Sequence, residues 1–68
     1  MSNQFNFFQT VYYTLDPNEA GVIIAVVQHP HNQTTYRVQW ADYSITELRE
    51  ELIMTEEEAE TERVIRNN

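Results

Sequence analysis

Sixty-eight residues make one small domain with a marginal core, and the absence of cysteine excludes both a disulfide framework and a Cys-based zinc site. The net charge of −7 sets eleven acidic residues against four arginines, with no lysine. A phosphate backbone would meet repulsion over most of such a surface, so direct nucleic-acid binding is disfavoured.

Residues 1–8 are polar with Phe5, Phe7 and Phe8 interleaved. They form an aromatic leader that either folds back over the domain or inserts into a partner. Gln9 to Leu15 alternates as a first strand, with Val11, Tyr13 and Leu15 on one face. Asp16-Pro17-Asn18-Glu19 has the chemistry of a turn: proline presets φ, and the Asp side chain accepts a local backbone hydrogen bond. Gly21, the only glycine, is expected to supply a positive φ or a bulge as the chain re-enters the sheet. Strand two, Val22 to Gln28, opens with six apolar residues in succession rather than alternating, which predicts that both its faces are covered.

His29 to Gln33 reads as a loop, and Thr34 to Trp40 as a strand with Tyr36, Val38 and Trp40 inward and Arg37 and Gln39 outward. Ala41-Asp42-Tyr43 connects tightly to a short fourth strand around Ser44 to Leu48. Arg49-Glu50-Glu51 then turns into Leu52-Ile53-Met54, a closing strand. Thr55 and Glu58 make a capping box, with glutamates in the first helical turn and the Glu62–Arg66 spacing further on, so a short, weakly docked helix follows. Residues 47–62 hold eight glutamates against one arginine. A rival assignment reads Ser44 to Arg66, free of glycine and proline, as one long helix capped by Ser44 and Glu47. That version is α+β, a three-stranded meander packed on the helix.

Catalytic and metal chemistry find little support. His29 and His31 flank a proline with only Asn32 and Gln33 nearby, short of the three or four ligands a metal site needs. The glutamate block lacks the spacing of a calcium loop and reads as a solvated helix face. No nucleophile setting and no glycine-rich phosphate cradle is present. No catalytic residue, metal or cofactor is therefore expected.

Val11 to Met54 resembles the SH3-like barrels of the Tudor and KOW kind. The resemblance rests on Val11-x-Tyr13, on Gly21-Val22-Ile23 opening a long strand, and on Tyr36-x-Val38-x-Trp40-x-Asp42-x-Ser44, closing at Leu52. Small SH3-like proteins of bacteriophages are similar, with Glu-Leu near the end as at Glu47-Leu48 and Glu51-Leu52. It implies a mainly all-β chain: a leader over 1–8, a five-stranded barrel over 9–54 and a short acidic helix over 55–68. The Tudor likeness implies a cage for methylated lysine or arginine, with Trp40, Tyr43, Tyr12 and Tyr13 as walls and Asp42 as the anion. Type II dihydrofolate reductases, which are oligomeric enzymes, are also similar. Their Val-Gln-Ile-Tyr tetrapeptide has no counterpart at Ile45-Thr46-Glu47-Leu48, and their substrate-binding lysine is missing.

The reading that results is a non-enzymatic protein-interaction or assembly module, an adaptor of the kind phages encode. Contact with a protein partner or a second copy is expected through Phe5, Phe7, Phe8, Tyr12, Ile23, Val27 and Tyr43. Its longest apolar run is far below the about 20 residues needed to cross a bilayer. Met1-Ser2-Asn3-Gln4 also lacks the cationic start of a secretory leader. A cytoplasmic location is expected, in the host cytoplasm or the virion if the chain is phage-encoded.

Overall fold

The computed structural model of the chain describes residues 5–67. The first four leader residues, on which the secretory reading rests, and the terminal Asn68 lie outside them. Five strands form one antiparallel sheet: β1 Thr10–Tyr13, β2 Asp16–His29, β3 Gln33–Trp40, β4 Ile45–Arg49 and β5 Ile53–Met54. One helix, α1 Glu56–Arg66, follows. The strands lie in the order β4-β3-β2-β1-β5, so the last returns beside the first while β4 and β5 remain the two edges. The class is thus mainly β with a C-terminal helix. The single long helix over Ser44 to Arg66 does not form: Ile45–Arg49 pairs residue for residue with Thr35–Gln39, and Ser44 bonds to Asp42 instead of capping a helix.

The first hairpin departs from expectation. Asp16 to Glu19 is not the turn; Thr14 and Leu15 are, since Tyr13 pairs directly with Asp16. Leu15 consequently lies exposed rather than in the core. The register then jumps from Tyr13↔Asp16 to Tyr12↔Ala20, leaving Pro17, Asn18 and Glu19 without partners on β1. Proline is tolerated there because no ladder donor is required. The expected Asp contact does form, with Asn18 N–H donating to Asp16 Oδ1 at 3.1 Å.

Gly21 adopts neither a positive φ nor a bulge; it sits in β2 between Val11 and Trp40. A Cβ there would lie 2.5 Å from Val38 Cγ1 and 2.7 Å from Trp40 Cε3. Close approach of the neighbouring strand, rather than backbone freedom, requires glycine. The bulge falls instead at Ile24, which has no partner on β3. It resets the alternation, so the apolar run does not have two covered faces: Ile23 is fully buried, whereas Val22 and Val26 remain partly exposed.

Cross-strand partners share a face, which places Val11, Ile23, Tyr36, Val38, Trp40, Leu48 and Ile53 together inside. Phe5 completes this core, its ring edge-on to Tyr36 with centroids 5.5 Å apart. On the outer face, α1 lies over the β1–β2 hairpin. Arg63 stacks on the Tyr12 ring at 5.4 Å and donates to Pro17 O at 2.8 Å, and Arg66 donates to Thr14 O. Its start is fixed by the anticipated capping box: Glu58 N–H donates to Thr55 Oγ1 and Thr55 N–H to Glu58 Oε1. The fully buried Ala59 seats the helix on the sheet, and Arg63 and Arg66 tie its second half to the first hairpin.

Candidate functional site

Two hairpin ends meet beside the open β4 edge. The β1–β2 end contributes Tyr13, Asp16 and Glu19; the β3–β4 end contributes Trp40, Ser44, Thr46 and Leu48. Between them lies a cleft of about 360 Å³. Tyr13 and Trp40 form its aromatic wall, their centroids 5.9 Å apart and their planes tilted by 60°. Trp40 is held in place by its Nε1–H donating to Thr46 Oγ1 at 3.2 Å. Among the described residues, neither Asp16 nor Glu19 forms a salt bridge. Two unneutralised carboxylates beside two π-faces attract a cationic side chain.

The β3–β4 turn shapes the rim. Tyr43 N–H donates to Trp40 O, and Trp40 N–H to Ser44 O, giving a three-residue loop whose last residue is left-handed. Tyr43 occupies that position with φ 69°, where glycine is the usual choice, and its ring is exposed. Asp42 is committed elsewhere. Its carboxylate accepts from the Ser44 hydroxyl at 2.6 Å and from Ser44 N–H at 3.0 Å, and the hydroxyl bond, foremost, holds it below the ordinary carboxylate range.

Of the cage residues suggested by the Tudor likeness, Trp40 and Tyr13 therefore meet in one cleft. Tyr12 does not: it lies on the opposite face of the sheet under Arg63. The anions there are Asp16 and Glu19 rather than Asp42. Sequence reasoning passed over those two because it assigned Asp16 to Glu19 to a turn. Their spacing around Pro17, three residues after Tyr13, was the only available signal.

The expected contact patch divides. Phe5 and Ile23, at 5% and 0% exposure, are core and offer no surface to a partner. The physical cause is the backbone: Phe8 N–H donates to Ile23 O and Ile23 N–H to Gln9 O, which draws the leader alongside β2. Phe7 and Phe8 point outward as a tilted pair with centroids 4.1 Å apart. Val27 is half-buried on the outer face opposite Thr35.

A second polar constellation crosses three strands on that outer face. The Thr35 hydroxyl donates to Glu47 Oε2 at 2.8 Å, Arg37 Nε–H donates to Glu47 Oε1 at 3.2 Å, and His29 Nε2 lies 2.9 Å from Thr35 Oγ1. The Thr35 bond, then that of Arg37, holds the Glu47 carboxyl below its ordinary value. These residues are far apart in sequence and carry no motif. They staple β2, β3 and β4 without enclosing a cavity. Among the described residues no group of three His, Asp or Glu gathers closely enough to hold a metal ion. No described helix is long and apolar enough to cross a membrane. Compared with family models, with curated proteins and with solved structures, the chain matches none.

Proposed function

We propose that this chain is a small non-enzymatic protein-interaction module built on an SH3-like barrel, serving as an adaptor. The return of β5 to the side of β1, the long bulged β2 and the 3₁₀ turn at Glu50–Leu52 that delivers β5 support the barrel reading. The cleft walled by Tyr13 and Trp40 and edged by Asp16 and Glu19 carries the functional reading. It offers apolar surface and two carboxylates, a combination that supports recognition of a cationic segment.

An array of peptides probed with the labelled chain tests this. Retention of a lysine- or arginine-bearing subset, lost in the Asp16→Asn/Glu19→Gln double variant, is expected. An array with no retained sequence, or NADPH-dependent turnover by the pure protein, overturns the module. The Tyr13–Trp40 pair also favours a narrower, Tudor-type version in which the cation is methylated. Trimethylated and unmodified lysine versions of one retained peptide separate the two, since methylation strengthens only cage binding.

A further inference from the structure

The cleft opens along an unpaired sheet edge, and that placement specifies how a ligand would lie. Building on the cleft as a ligand site, we infer that the ligand is an extended, cation-bearing segment of another protein. It pairs antiparallel with β4 as a sixth strand and sends one basic side chain between Asp16 and Glu19.

Sheet edges are ordinarily blunted by proline, lysine, a bulge or a covering element. β4 has none of these; it is five residues long and its two charged side chains, Glu47 and Arg49, are already paired with Arg37 and Glu51. Its Ile45–Arg49 backbone runs in unbroken register with β3 and pairs with no other strand. Trp40 N–H donates to Ser44 O, so the peptide groups of Ser44, Thr46 and Leu48 turn toward β3. Alternation along an antiparallel ladder then leaves those of Ile45, Glu47 and Arg49 facing the open side. A strand added there lies about 4.8 Å away. Its residue opposite Thr46 shares the inner face with Thr46 and Leu48, which line the cleft. A long basic side chain at that position leads directly to the two unneutralised carboxylates.

The flanking positions follow from the same register. The next residue stands opposite Ile45, which is 55% exposed, and is apolar. The preceding one stands opposite Glu47, whose carboxylate Thr35 and Arg37 already occupy, and is small and polar. A second copy of this chain does not satisfy the site. Its own β4 would send Ser44, Thr46 and Leu48 inward, none of them cationic. Pairing centred on Glu47 would also set two glutamates face to face between bodies of charge −7.

Trp40 is the only tryptophan and stands in the cleft, so its emission reports occupancy. The probe is the capped hexapeptide Thr-Val-Thr-Lys-Val-Thr, titrated into the full chain. Saturable binding is expected, weakened about tenfold or more by norleucine in place of lysine, by Asp16→Asn/Glu19→Gln, or by N-methylation of the two residues flanking the lysine. Ile45→Pro removes only an outward N–H, so it should weaken the peptide while leaving the circular dichroism unchanged. Equal binding of the N-methylated peptide overturns strand pairing but leaves the cleft as a site. Equal binding of the norleucine peptide overturns the charge requirement. No response to the hexapeptide, with array peptides still retained, removes this inference alone; silence in both removes the module as well. A dimer by sedimentation that Ile45→Pro dissociates shows a second copy on β4 and overturns the inference.

Discussion

The two faces of the sheet are held together by different forces. The inner face is apolar and closely fitted: Phe5, Val11, Ile23, Tyr36 and Val38 are each buried, and Gly21 leaves room only for the neighbouring strand. The outer face is a patchwork in which arginines pin α1 over the first hairpin and a glutamate staples the far strands, while Phe7, Phe8 and Tyr43 stay exposed. In a domain this small the interior has no material to spare, so the proposed recognition falls to the rim where the inner face meets the open β4 edge.

The comparison is sharpened first by substitutions on the inner face. Phe5→Ala should cost about 3 kcal/mol in urea unfolding, whereas Phe8→Ser, three residues on, should stay within about 0.5 kcal/mol. Equal effects would place both residues in the same environment and erase the distinction. Gly21→Ala follows at about 2 kcal/mol, because Val38 and Trp40 must both yield to the added methyl. On the outer layer, Thr55→Ala removes the cap of α1 and should cost about 1 kcal/mol, with a matching loss of helical circular dichroism.

The smallest effect is expected at Glu47, present at neutral pH and vanishing in acid. Its folded carboxyl titrates below the ordinary value of 4.5, so the folded state favours the ionised form. That stabilisation is complete above 4.5 and is lost as pH falls through the lower folded value. Glu47→Gln should therefore lower stability slightly at neutral pH, match the parent chain in acid, and so flatten the acid limb of the stability profile. An unaltered acid limb would remove the staple from the account.

Local chemistry made parts of this arrangement legible. The alternation of Tyr36, Val38 and Trp40 gave β3 and its inward face, and Thr55 with Glu58 placed the start of α1 to the residue. The rest depended on partners distant in the chain. Asp16-Pro17-Asn18-Glu19 has every turn signal, yet the register between Tyr12 and Tyr13 moved the turn to Thr14 and Leu15. That shift left Asp16 and Glu19 at the cleft. Asp42 follows Trp40 closely and is the anion that local order predicts, but its carboxylate is taken by Ser44.

Composition and short-range pattern alone determined that the chain opens with three strands, that Thr55 and Glu58 can form a capping box, that Trp40 turns inward, and that neither cysteine nor lysine is available for chemistry, while strand and helix both stayed open for Ile45 to Arg49. These follow from side-chain periodicity, capping and counting, which need no distant neighbour. Tertiary structure decided why Gly21 is glycine, where the first hairpin turns, which phenylalanine is core, and which carboxylates stand beside Tyr13 and Trp40. Each of those depends on strand register, and register is set by the fit of whole faces rather than by any residue's own preference.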